Sequence, residues 1–163
     1  MTHFNTPFSY PLNVACFHTC AATTISASSV VKPQSVESIA GNHSSSMNTT
    51  TGIITLPNTQ CMLIGSITYR SSDTGSYVRY RWYDTTNSQY IGSIGQIRGL
   101  DANRHAANIT NEISCDEEAI AIAQNINVKL VVTAVSSNNC VFDGDLVNYA
   151  IYAGKTKLTI YEF

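Results

Sequence analysis

Apolar residues recur at every second position along much of the chain from residue 51 onward, which is the spacing of half-buried β-strands. In 61–70, Cys61, Leu63, Gly65, Ile67 and Tyr69 share one face, with Met62, Ile64, Ser66, Thr68 and Arg70 on the other. In 77–84, Val78, Tyr80 and Trp82 alternate with Arg79 and Arg81, predicting one apolar and one charged face. Residues 126–136 set Ile126, Val128, Leu130, Val132 and Ala134 against Asn127, Lys129, Val131 and Thr133. Asp73-Thr74-Gly75 reads as the turn of a hairpin joining 61–70 to 77–84. Thr85-Thr86-Asn87-Ser88 turns the chain into a strand over 89–98, and Asp143-Gly144 precedes the closing strands 146–153 and 155–163.

Elsewhere the pattern is weaker. Residues 22–32 are rich in β-branched side chains and read as a strand. Residues 33–50 are polar and turn-rich, a loop or weak edge strand, and 99–116 form the longest irregular stretch. Ser114 and Glu117 match a helix capping box. The apolar run after them is short and flanked by β-patterned segments, so 117–124 reads as strand. Roughly eight to ten strands at about 8–12-residue spacing indicate a sandwich or barrel. Residues 1–20 differ: Pro7 and Pro11 sit among Phe4, Phe8, Tyr10 and Phe17 without a clean period. Proline favours extended chain and the aromatics seek burial. The expected organisation is therefore an extended N-terminal arm over 1–20 and a β-sandwich over 21–163.

At 163 residues the chain suits one domain with a single core. Charged residues are 12%, about half the usual share, and Ser, Thr and Asn replace them. A net charge of −2 and pI near 6.0 supply no field for phosphate backbones, which argues against nucleic-acid partners. Low charge also leaves little electrostatic protection against self-association, which favours an oligomer. No apolar run approaches the ~20 residues of a membrane span, so no membrane partner is expected. The first 20 residues lack the charge and apolar core of a signal peptide. With five irregularly spaced cysteines, reduced thiols made in a cytosol are expected rather than a disulfide framework.

Candidate chemistry is sparse. Cys16, His18 and Cys20 would share one face of an extended strand, but a fourth zinc ligand is missing, so a packed arm is preferred to a metal site. His3, His18, His43 and His105 are framed by no nucleophile motif. Asp116, Glu117 and Glu118, or Asp143 and Asp145, could form a glycosidase pair, yet acidic turns are more often solvated. Arg79 and Arg81 with Tyr69, Tyr77, Tyr80, Tyr83 and Tyr90 suggest a glycan platform, against the commoner use of tyrosine in packing. No catalytic residue and no cofactor is assigned.

Three phrases carry a family likeness. Thr51-Gly52-Ile53-Ile54-Thr55-Leu56-Pro57 before the 61–70 strand resembles the entry to the central strand of C1q/TNF-like jelly rolls. Tyr80-Arg81-Trp82-Tyr83-Asp84, a Thr/Asn turn and Gln89-Tyr90-Ile91-Gly92 resemble central strands of such domains in bacteriophage and other viral structural proteins. So does the final strand Lys157-Leu158-Thr159-Ile160-Tyr161-Glu162-Phe163. The chain departs from the family in carrying Asn58-Thr59-Gln60-Cys61-Met62 where Gly-x-Tyr is usual.

The resemblance implies an all-β antiparallel sandwich of jelly-roll type, forming a homotrimer whose axis is lined by one sheet. Tyr80, Trp82, Tyr161 and Phe163 are the candidate interface residues. It implies a non-enzymatic protein of the virion, made in the host cytoplasm, that decorates or cements a capsid. Phe4, Phe8, Tyr10 and Phe17 of the arm would meet the major capsid protein or another virion protein. The alternative is a receptor-binding fibre or tail-tip head that recognises a host surface glycan.

Overall fold

A computed structural model describes residues 13–20, 23–67, 69–71, 75–98, 116–120, 126–136, 139–142 and 156–163. Among them the regular structure is entirely β: β1 (Asn13–Cys20), β2 (Pro33–Ala40), β3 (Ser46–Asn48), β4 (Ile53–Thr55), β5 (Cys61–Ser66), β6 (Tyr69–Arg70), β7 (Tyr77–Asp84), β8 (Gln89–Arg98), β9 (Asp116–Ile120), β10 (Asn127–Val135), β11 (Val141–Phe142) and β12 (Lys157–Glu162). They form one sheet in the order β2-β1-β12-β5-β9, a second in the order β3-β4-β10-β7-β8, and a small pair β11-β6. Both large sheets pair antiparallel throughout. The chain changes sheet between β2 and β3, β4 and β5, β5 and β7, β8 and β9, β9 and β10, and β10 and β12. These crossings make two facing sheets with jelly-roll connections.

The alternation seen in the sequence supplies the core. Cys61, Leu63, Gly65, Val78, Tyr80, Trp82, Val128, Leu130, Val132, Leu158 and Ile160 all face inward and are buried. The sheets approach closely at Gly65, where an added Cβ would lie 2.9 Å from Cδ2 of Leu130.

That contact corrects the expected hairpin between 61–70 and 77–84. β5 pairs with β12 and β9, whereas β7 pairs with β10 and β8 in the opposite sheet. Both strands have one apolar face, and burying the two faces against each other across the core satisfies the same pattern as lying side by side. Residues 72–74 of the expected turn fall outside the described residues. The β7–β8 hairpin forms as expected.

Two further expectations change. Residues 23–32 are not a strand: they make single bridges, Thr24 to Val141 and Val30 to Val131, around a turn in which Ser28 has φ 73°. They continue the edge of β10 where the short β4 stops, with Val31 N donating to Leu130 O (3.0 Å) and Val132 N to Ser29 O (2.8 Å). Gly52 lies beneath them with φ +72°, and a Cβ there would meet Val31 O at 2.5 Å. Residues 33–40 form a true edge strand. Residues 13–20 of the expected arm are instead β1, held between β12 and β2, and 1–12 lie outside the described residues. The alternation of β1 was hidden: Val14, Ala15, Cys16 and Phe17 are buried in succession, on both faces. The strand expected over 117–124 is present as β9, with 121–125 outside the described residues, as are 143–155 and the loop residues 99–115.

The β7–β8 turn is held by Asp84, whose buried carboxylate accepts from Thr86 N (2.8 Å), Asn87 N (3.0 Å) and Asn87 Nδ2 (2.7 Å). Burial alone would raise its pKa, but these bonds and one from Gln89 bring it below the ordinary 3.8. Asp84→Ala should cost about 1–3 kcal/mol by removing the acceptor of three part-buried hydrogen bonds, two of them to backbone amides of the turn. Urea denaturation at neutral pH checks this, and an unchanged midpoint contradicts it.

Candidate functional site

The rims of the two sheets part between β2 and β3, leaving a cleft of about 250 Å³ lined by Phe17, Val36, His43, Ser45, Met47 and Thr49, among others. Its base is fixed from β12. Glu162 points inward at the end of that strand and is 2% exposed. It accepts from Ser44 N with both oxygens (3.0 and 2.9 Å), and through Oε1 from Ser45 N (2.8 Å) and Ser45 Oγ (2.6 Å). His43 completes the loop: its Nδ1 is 2.9 Å from Ser45 O, and its ring meets Phe17 edge-on at 6.2 Å.

Burial would raise the Glu162 pKa, yet the bonds from Ser45 and Ser44 and the neighbouring His43 hold it below 4.5. Burial and the Glu162 charge push the Cys61 thiol up to about 11. A carboxylate with four protein hydrogen bonds and a thiol kept protonated are poor general bases and nucleophiles. The cleft can hold an apolar group; its chemistry is that of a fastening for the 43–45 loop.

The two outward faces differ. On the first sheet Val14, Tyr161 and Met62 form one cross-strand row, and Cys16, Thr159 and Ile64 the next. Met62, Ile64, Thr159 and Tyr161 are partly exposed. At the sheet edges the register places Glu37 beside Cys16, and Glu117 and Ala119 beside Ile64 and Met62. On the second sheet Tyr77, Arg79, Arg81 and Tyr83 alternate with the buried Val78, Tyr80, Trp82 and Asp84.

These placements sort the expected interface residues. Tyr161 lies on the apolar outward face, and Phe163 follows it, partly exposed and donating its N–H to Gln60 O (2.9 Å). Tyr80 and Trp82 do not reach a surface: at 0% and 1% exposure they fill the core, so their assignment to an interface is corrected. They occupy the inward positions of β7, and their aromatic area is already buried between the sheets. Phe17 likewise packs in the core, 1% exposed, opposite Leu158 and Val36, and is not an arm contact. Phe4, Phe8 and Tyr10 lie outside the described residues.

Of the tyrosine cluster, Tyr69 is also interior, donating to Ser76 O at 2.8 Å, while Tyr77, Tyr83 and Tyr90 are outward. Cys16 and His18 share the outward face of β1 as the spacing predicted, and Cys16 is 4% exposed with Thr159 Oγ1 at 4.0 Å. Among the described residues no group of three or more His, Cys, Asp or Glu is placed to hold a metal ion. Nor is any helix there long and apolar enough to cross a membrane. Glu162 escaped the sequence reading although the period of two sets it on the face of Leu158 and Ile160, because the partners that make a buried glutamate tenable, Ser44 and Ser45, are distant in sequence.

No protein-family model matches the sequence, and no curated protein matches it. Among solved structures, the chain is similar to the Eiger TNF of S. frugiperda, with a TM-score of 0.54 over 94% of this chain and 93% of that one. The fold is a TNF-like jelly roll. At 10% identity the likeness concerns the fold alone. The viral origin expected from the strand phrases rests on those phrases.

A depressed carboxylate stabilises the fold above its unfolded pKa, and the contribution is lost as pH falls through the folded value. Wild type should therefore melt above Glu162→Gln at pH 7, and the gap should close in acid below about pH 4.5. Calorimetric melting from pH 7 to pH 3 checks this; a gap that widens in acid contradicts the role of the charge.

Proposed function

We propose that the chain is a non-catalytic structural module of a virion, a capsid-decoration protein that works as a homotrimer. The observation that carries the assembly reading is the outward face of the β2-β1-β12-β5-β9 sheet. Its central rows pair Tyr161 with Met62 and Thr159 with Ile64, all uncharged and partly exposed, beside Val14 and Cys16, which are already buried within the chain. An apolar sheet face of this kind is a surface for another subunit, and the TNF-like fold of the neighbour is consistent with it. In this reading Tyr161 supplies an aromatic contact at the interface and Phe163 lies at its margin. The virion role is supported by the viral likeness of 80–92 and 157–163. Glu162, engaged in four hydrogen bonds, and Cys61, kept protonated, are each poorly suited to act as a catalytic group.

The anchoring segment is redrawn as residues 1–12, since 13–20 belong to the sheet. A second reading, a receptor-binding head, is favoured by the arginine–tyrosine face of the other sheet.

Light scattering should give about three times the 17.7 kDa chain mass at micromolar concentration. Tyr161→Glu should give the single-chain mass with its β circular dichroism intact. A monomeric wild type refutes the assembly. Removal of residues 1–12 should leave a folded trimer that no longer co-sediments with capsids; undiminished binding refutes the anchor.

A further inference from the structure

The outward face of the β3-β4-β10-β7-β8 sheet gathers four of the nine Lys and Arg residues, Arg79, Arg81, Arg98 and Lys129. The five strands contain one carboxylate, Asp84, which is buried and occupied by the β7–β8 turn. No ion pair therefore neutralises these cations within their own sheet. They are held by rings instead. The Arg79 guanidinium lies 5.1 Å from the Tyr77 ring, Arg81 lies 5.7 Å from Tyr90, and Lys129 Nζ lies 5.4 Å from Tyr83. Tyr83 and Tyr90 meet edge-on at 5.1 Å, and Tyr90 is 47% exposed.

A bulge fixes the centre of this face. Tyr80 pairs with Gly95 and Trp82 with Ile91, so Gly92, Ser93 and Ile94 stand opposite Arg81 alone. Gly92 has φ 73°, a conformation that favours glycine, and its carbonyl accepts from Arg81 Nε at 2.6 Å. Arg79 Nε donates to Gln96 Oε1, also at 2.6 Å. Each guanidinium is thus anchored through Nε, and its Nη edge is left for a partner. The two arginines are two residues apart on one face of β7, about 7 Å along the backbone.

We propose that this face binds a carboxylate-bearing oligosaccharide, with Arg81 and Arg79 receiving the carboxylate and Tyr90 lying against a sugar ring. A pre-oriented guanidinium fork matches a carboxylate in two parallel hydrogen bonds, and an exposed tyrosine ring presents an amphipathic face suited to a sugar. The charge is local, since the chain as a whole is at −2, which disfavours polyanions such as nucleic acid or an anionic membrane. A peptide would gain its main-chain hydrogen bonds at a sheet edge rather than on this face. The site is complete on one chain and stands whether or not the protein is a trimer.

The test is amide NMR titration of the intact protein with 3′-sialyllactose and with lactose. Sialyllactose should give saturable shifts confined to 77–83 and 89–98, with lactose at least tenfold weaker. Arg81→Gln and Tyr90→Ala should each weaken sialyllactose binding tenfold or more, while Lys157→Gln, on the other sheet, should leave it unchanged. The undisturbed shifts of the inward residues report that each variant is folded. Equal response to lactose, shifts centred elsewhere, no effect of Arg81→Gln, or stronger binding to phosphatidylserine vesicles or a DNA oligonucleotide each overturns the proposal.

Discussion

The structure depends on one apolar layer shared by two sheets, about 10 Å apart in such sandwiches. Gly65 shows how tight that layer is, because no side chain beyond hydrogen fits beneath Leu130 without displacing it. Around this point Tyr80, Trp82, Leu63, Leu158 and Ile160 fill the layer from both sides. β1, β5, β7, β10 and β12 each give alternate residues to it. Phe17, Tyr80 and Trp82, which the sequence offered to a partner, are therefore consumed in holding the sheets together.

Where the layer ends, buried carboxylates take over. Asp84 secures the β7–β8 turn, and Glu162 secures the loop that precedes β3. In both, the cost of burial is outweighed by several short hydrogen bonds to the ionised form, so each is kept charged and fully engaged. A charged acid among hydrogen-bond donors could be mistaken for a catalytic group. Here the donors are backbone amides of neighbouring turns, the Ser45 hydroxyl and the side-chain amides of Asn87 and Gln89, the pattern of a structural clamp.

Once alternation assigns one residue of each pair to the core, the other is released to vary, and the two sheets diverge. One outward face is uncharged along its centre, at Met62, Ile64, Thr159 and Tyr161; the other carries arginine and lysine seated on tyrosine rings. Assembly and ligand recognition would then occupy opposite sides of the same sandwich without competing for residues. The β8 bulge fits this division, since it alters only the outward geometry around Arg81 while Ile91, Gly95 and Ile97 keep their places opposite β7.

The sequence by itself determined the β class, the inward and outward residues of β5, β7, β10 and β12, and the β7–β8 turn. These follow from a period of two and from local turn chemistry, which neighbouring residues dictate. It also carried the jelly-roll likeness in a few strand phrases. Partner choice between strands was decided only in the tertiary structure. An apolar face at 61–65 fits equally well beside or across from 78–82, and the pairing of β5 with β12 and β9 sets it across the core, where Gly65 meets Leu130. The same holds for β1, whose consecutive buried residues show no period because both of its faces are covered. Glu162 and the Arg81 bulge were likewise decided in three dimensions, since their partners, Ser44 with Ser45 and Gly92, are brought to them only by sheet pairing and loop closure.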